Sequence, residues 1–107
     1  MNTIDKIRIE LDQAKAARGA GNEGRARVCA RRAAGMAARV FLDRHGIGRR
    51  GDSAYELLQQ LVEFPALDSD LRRAALHLTM RVSAAFTLPA DVDLIADAQT
   101  LCSRLGE

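Results

Sequence analysis

The sequence has no tryptophan and few other aromatic residues, with three Phe and one Tyr among its 107 residues. Its hydrophobic fraction of 48% is nevertheless that of a globular protein, which excludes a disordered chain. Alanine and leucine must therefore fill most of the core. This composition favours close-packed helices over a β-sandwich.

Cysteine is also scarce, because Cys29 and Cys102 are the only two and they lie far apart without a CxxC spacing. Each has apolar neighbours, which predicts buried free thiols. The two cysteines and two histidines do not cluster, so the sequence predicts no zinc site. Asp91 and Asp93 alternate like metal-binding carboxylates, but no third ligand or following glycine completes an EF-hand loop. We expect no metal.

Long apolar runs are missing as well. No stretch approaches the roughly 18 apolar residues that a membrane-spanning helix needs. The first residues, "MNTIDKIRIE", lack the apolar centre of a signal peptide. We therefore expect a cytoplasmic protein with no membrane partner. The glycine-rich "GIGRRG" lacks the Gly-Lys-Ser/Thr ending of a phosphate loop, so the sequence predicts no cofactor.

Apolar residues recur at helical spacing in five segments, and no segment alternates long enough to be a strand. The segments are 3–18, 23–45, a third from 52 or 53 to 64, 70–86 and 91–105. Thr3, Asn22 and Ser69 are the predicted caps of the first, second and fourth helices. The sequence thus predicts an all-α fold, an antiparallel up-and-down bundle of four to five helices. A chain of this length has the size of one domain, here residues 1–107.

The charges are unevenly distributed along the chain. Residues 1–50 hold 12 Lys and Arg against 5 Asp and Glu, whereas residues 51–107 hold 4 against 9. This asymmetry is typical of a basic face that binds nucleic acid or an acidic partner. The alternative is that the arginines, which are 14 of the 16 basic residues, only form the solvent-exposed faces of helices.

The order of the segments resembles a known family. A first helix, the glycine-broken "GAGNEG", a long alanine-rich second helix and the short "DSAYELLQQL" together resemble the small prokaryotic HEPN family, over about residues 5–105. The resemblance implies a helical up-and-down domain that forms a homodimer. Such domains are often encoded beside a nucleotidyltransferase-like partner protein. Several members are RNA-cutting toxins of toxin–antitoxin pairs, others bind nucleotides, and many have no known activity.

The ribonuclease branch of that family carries an arginine followed at close spacing by a histidine, and Arg72 and His77 match this pattern. Histidine exchanges protons near neutral pH, so it serves as a general acid or base. Arginine stabilises the charge that develops on a phosphate. However, five residues turn about 140° along a helix, so the two side chains point apart.

Arg73, His77 and Arg81 are better aligned, at i, i+4 and i+8 on one face of the fourth helix. This basic line is a candidate site for RNA or another phosphate. The alternative is a solvated helix face with a surface histidine.

On the second helix, Arg25, Arg32 and Arg39 recur every seven residues between two apolar flanks. A helix that is apolar on both sides of a charged line is typically covered by two packing partners. Val28, Gly35 and Leu42, which form one flank, are therefore the predicted homodimer interface. Gly35 in mid-helix indicates the close approach of another backbone. The alternative is burial by the first and third helices.

From these features we expect a non-catalytic HEPN-like helical protein. It would act as a homodimer through a protein partner or through RNA or a nucleotide. The alternative is a ribonuclease toxin that uses Arg72 and His77.

Overall fold

The computed structural model describes residues 2–80 and 92–106, which form five α-helices with no strand among them. The helices are α1 (Thr3–Gly19), α2 (Glu23–Arg44), α3 (Ala54–Val62), α4 (Ser69–Thr79) and α5 (Leu94–Leu105). The predicted all-α class is confirmed. The Cα radius of gyration is 13.1 Å, close to the roughly 13 Å of a compact chain of this size.

Helix α2 lies at the centre of the fold. It packs against α1, α3 and α5, and more lightly against α4. Its buried residues are mostly small: Ala26, Cys29, Ala30, Ala33, Ala34, Gly35, Ala37, Ala38 and Leu42. Leucines of the other helices supply most of the remaining core volume: Leu58, Leu61, Leu78, Leu94 and Leu101 are all fully buried.

Two glycines end the first two helices in the same way. Gly21 and Gly46 have φ angles of 79° and 65°, in the left-handed region that favours glycine. In each case the two amides beyond the helix donate back to its last carbonyls. For α2, the amides of Gly46 and Ile47 reach the carbonyls of Asp43 and Leu42. This double hydrogen bond is a Schellman motif, and it explains why the chain turns at the predicted glycine segments.

The helix starts follow short polar side chains, as expected for N-caps. Asn22 caps α2 as predicted, since its side chain accepts the amide of Arg25. Ser53, one of the two predicted starts of the third helix, caps α3 by accepting the amide of Glu56. Asp93 caps α5, so the described part of that helix begins later than predicted. Residue 91, its predicted start, lies outside the described residues.

Two predicted caps are wrong by one residue. Asn2, not Thr3, caps α1, because the Asn2 side chain accepts the amide of Asp5 at 2.8 Å. Asp68, not Ser69, caps α4, because its carboxylate accepts the amide of Asp70 at 2.9 Å. In both places two adjacent residues have cap-forming side chains, and sequence alone does not distinguish them.

Helix α4 also ends earlier than predicted. It stops at Thr79, and Met80 already has extended backbone with φ −68° and ψ 129°. The Arg31 side chain of α2 donates to the carbonyls of Leu78 at 2.8 Å and Met80 at 2.9 Å. These bonds satisfy carbonyls that lack partners at a helix end. Residues 81–86 of the predicted helix lie outside the described residues.

In the part of the chain that the structure describes, no helix combines the length and apolar character required to cross a bilayer.

Candidate functional site

Arg72 and His77 face different neighbours of α4. The Arg72 guanidinium donates to the carbonyl of Phe64 at 2.6 Å, just beyond the end of α3. His77 Nδ1 lies 3.0 Å from Oδ2 of Asp97 on α5. The two side chains therefore point apart, as the helical spacing predicts, and do not form the pair that the ribonuclease pattern requires. The reason is geometric: α4 packs against both α3 and α5, and the turn of about 140° between the two positions directs one side chain to each.

An acidic residue of α5, Asp97, lies beside the predicted basic line on α4. Arg73 is exposed, His77 is 23% exposed and paired with Asp97, and Arg81 lies outside the described residues. Burial raises the pKa of the Asp97 carboxyl, which the hydrogen bond from His77 and the charge of Arg73 only partly offset. The carboxylate reduces the positive charge that this face offers to a phosphate. Asp97 was missed because it is 20 positions away from His77 in sequence.

The predicted dimer interface is mostly internal. Leu42 is 0% exposed and Gly35 is buried, whereas Val28 is 43% exposed. A Cβ placed on Gly35 would lie 2.7 Å from both the Cα and the Cβ of Ala54 on α3. The close backbone approach predicted at Gly35 is therefore confirmed, but it is made by the same chain. Val28, Gly35 and Leu42 do not form one exposed surface.

Both cysteines are buried and free, as predicted. Burial raises the pKa of the Cys29 thiol and raises that of Cys102 to about 12. Since the thiolate is the reactive form, neither residue is activated as a nucleophile at neutral pH. Across residues 2–80 and 92–106, no three His, Cys, Asp or Glu side chains converge in a way that could hold a metal ion.

Five of the six arginines of α2 divide into two groups, and the sixth, Arg44, is exposed at the last residue of the helix. Arg27 approaches Glu23 at 4.0 Å and Arg31 binds the end of α4. Arg25, Arg32 and Arg39, which we call the arginine row, are exposed and make no ion pair with any residue that the structure describes. Seven residues of helix rise about 10.5 Å, so the row presents three guanidinium groups along about 21 Å.

A cavity of 260 Å³ lies beside the arginine row, between α1, α2 and α3. Its lining combines two cations, two carboxylates and four apolar or small residues: Arg32, Arg39, Glu10, Asp52, Gly35, Met36, Ala54 and Leu57. The Oε2 atom of Glu10 is buried and has no hydrogen-bond partner among the described residues. The cavity therefore offers hydrogen-bond donors and acceptors around an apolar surface.

A larger groove of 590 Å³ runs between α1 and α5. Ile4, Ile7, Leu11 and Cys102 line it, and Arg8 brings a positive charge to its edge. This groove is mainly a hydrophobic surface, whereas the cavity beside the arginine row groups charged side chains that can recognise a ligand by hydrogen bonding.

Comparison of the chain with protein-family models, with curated proteins and with solved structures found no match.

Proposed function

We propose that this chain is a non-catalytic HEPN-like domain that binds single-stranded RNA through the arginine row. The observation that carries the proposal is that Arg25, Arg32 and Arg39 are exposed at regular spacing and unpaired within residues 2–80 and 92–106. The resemblance to a family with RNA-cutting and nucleotide-binding members supports the choice of RNA over an acidic protein.

The chemistry of the row suits phosphates. A guanidinium group donates two parallel hydrogen bonds to a phosphate and keeps its charge at any physiological pH. A flexible single strand can adjust the spacing of its phosphates to the row, and its bases remain free to enter an adjacent cavity. A rigid duplex would not place bases there.

The ribonuclease alternative is less well supported. Arg72, the arginine it requires, is bound to the carbonyl of Phe64. His77 keeps a carboxylate partner in Asp97, and Arg73 is its exposed neighbour one turn away. Cleavage would therefore need a different cation from the one that the sequence pattern suggested.

The homodimer stays a prediction from the resemblance and from the apolar flanks of α2, and the nucleotidyltransferase-like partner stays a prediction from the resemblance. An interface between two copies cannot use Gly35 and Leu42, since both are buried within the chain. Of the three predicted residues, Val28 is the one available to a partner.

The test is fluorescence anisotropy with a labelled single-stranded RNA of mixed sequence. Each phosphate neutralised on a single strand contributes about −0.7 to the slope of log K against log salt. Three contacts give a slope of about −2, or roughly 20-fold weaker binding between 50 and 200 mM salt. Replacing all three arginines of the row by alanine should abolish binding and leave the helices intact, because alanine has the highest helix propensity.

The matched control removes the same charge elsewhere. Arg8, Lys15 and Arg44 are exposed, and their triple alanine variant should retain most of the affinity. Equal loss in both triple variants would show that net charge, not the row, governs binding. Failure of the wild type to bind at 50 mM salt, or capture of acidic peptides in place of RNA, would contradict the proposal. Shortened RNA on a gel would favour the ribonuclease alternative.

A further inference from the structure

We infer that the cavity between α1, α2 and α3 receives a guanine base of the bound RNA strand, an inference that rests on the proposed RNA binding. Arg32 and Arg39 belong both to the arginine row and to the cavity lining. A strand whose phosphates contact the row therefore passes the cavity mouth. A base that turns away from the solvent at this point enters the cavity.

The interior of the cavity suits a flat ring. Its apolar lining consists of Met36 on α2 and of Ala54 and Leu57 on α3. Gly35 has no side chain and packs closely against Ala54, so no side chain from this position enters the cavity. A methionine thioether packs favourably against aromatic rings. A water molecule occupies about 30 Å³ in the liquid, so the 260 Å³ cavity is of the right order for a purine base.

The polar lining distinguishes among the bases. Arg32 and Arg39 are donors only, whereas Glu10 and Asp52 are acceptors when ionised. When a guanine enters, one of these two arginines exchanges its phosphate contact for O6 and N7, two adjacent acceptors that arginine recognises with two hydrogen bonds. On its Watson–Crick edge guanine carries two adjacent donors, N1–H and the N2 amino group, which fit a carboxylate. Adenine, cytosine and uracil each place an acceptor on that edge where the carboxylate requires a donor.

Glu10 is the carboxylate that we assign to this contact. Asp52 already binds Arg49 at 3.0 Å, and its side chain is 82% exposed. Glu10 makes no ion pair with any described residue. Its carboxyl group interacts with the Cys29 thiol and helps to raise the pKa of that thiol, but its buried Oε2 atom has no hydrogen-bond partner among the described residues. A buried acceptor without a donor is unfavourable, so donors supplied by a base would relieve this deficit.

The experiment compares labelled twelve-nucleotide RNAs by anisotropy: oligo-U, and oligo-U with one central guanosine. The wild type should bind the guanosine strand at least about fivefold more tightly, the lower range for a double hydrogen bond to one base. Inosine, which lacks the N2 amino group, and 7-deazaguanosine, which lacks N7, should each reduce this preference. These three probes test the site without any change to the protein.

The Glu10→Gln variant should lose the guanosine preference while its affinity for oligo-U stays within about twofold of the wild type. Asp12→Asn is the matched control, because Asp12 is an exposed acid on the same helix, and it should keep the preference. A guanosine preference that survives in Glu10→Gln, or that is equal for inosine, would overturn the inference. If the wild type binds both strands equally, and its binding is still lost when the arginine row is replaced, the base site alone is refuted. No RNA binding at all would refute both proposals.

Discussion

The substitution Gly35→Ala tests how closely α2 and α3 approach. The added Cβ would lie 2.7 Å from the Cα and the Cβ of Ala54, whereas carbon atoms prefer a separation of about 3.5–4.0 Å. One of these atoms is backbone and the other is fixed to it, so no side-chain rotation relieves the clash. The two helices must move apart, and this separation disturbs the core on both sides.

The magnitude follows from two opposing effects. Overpacking a core costs about 1–3 kcal/mol, and exchanging a helical glycine for alanine returns up to about 1 kcal/mol. Because the contacting atoms cannot rotate away, the overpacking cost should lie in the upper part of that range, at about 2–3 kcal/mol, and Gly35→Ala should lower the free energy of unfolding by about 1–2 kcal/mol. The entropy of unfolding per residue, about 2.1 cal/mol/K, then gives a decrease in Tm of roughly 4–9 °C for this chain.

Gly24→Ala is the matched control on the same helix. A Cβ there meets only the side chain of Asn22, at 3.9 Å, among the described residues. Without a clash, the propensity gain should raise Tm by up to about 4 °C. Thermal and urea denaturation followed by circular dichroism at 222 nm measure both variants. A Gly35→Ala protein as stable as the wild type would refute the close packing of α2 on α3.

Two further predictions concern side chains that stabilise helix ends. Arg72→Ala removes the hydrogen bond to the Phe64 carbonyl. It should lower the free energy of unfolding, measured by urea denaturation, by about 1–2 kcal/mol and leave the RNA affinity unchanged. An equal loss of stability in Arg73→Ala, a change at its exposed neighbour, would contradict this role. The hydrogen bond from Arg18 holds the pKa of the Glu23 carboxyl below its ordinary 4.5, so its contribution is present above that pH and is lost on acidification. Because more than a third of each side chain is exposed, the wild type should exceed Glu23→Gln in free energy of unfolding by less than about 1 kcal/mol at pH 7, and the two should converge below pH 4.5. A difference that widens in acid would refute the assignment.

Features fixed by nearby residues could be predicted from the sequence. Apolar spacing identified the five helices found within residues 2–80 and 92–106, because each one must bury a continuous face. The cap at Asn22 and the turns at Gly21 and Gly46 depend on residues within one helical turn of the boundary. Free, buried cysteines followed from their apolar surroundings.

Features that depend on residues far apart in the sequence could not be predicted from it. Arg31 ends α4 by binding a carbonyl 47 positions away, and no local pattern marks that contact. His77 and Asp97 are brought together only by the packing of α4 on α5. Periodicity placed Leu42 and Val28 on one flank of α2, but it did not show that α2 buries one and exposes the other.

The arginine row was visible in the sequence but was interpreted as a line between two packing surfaces. Its exposure, and the cavity that includes Arg32 and Arg39, depend on where α1 and α3 lie against α2. Glu10 carried no sequence signal for the same reason, since it is brought to the cavity by the packing of α1 on α2.

The small buried residues of α2 restrict how this protein can diverge. A position filled by alanine or glycine against a neighbouring helix has no larger replacement that leaves the backbone in place. The leucines of the other helices can be exchanged for isoleucine or methionine at lower cost. Distant descendants of this chain should therefore vary fastest on the outer helices, and the spacing of small residues along the central one should be the trait by which they are recognised.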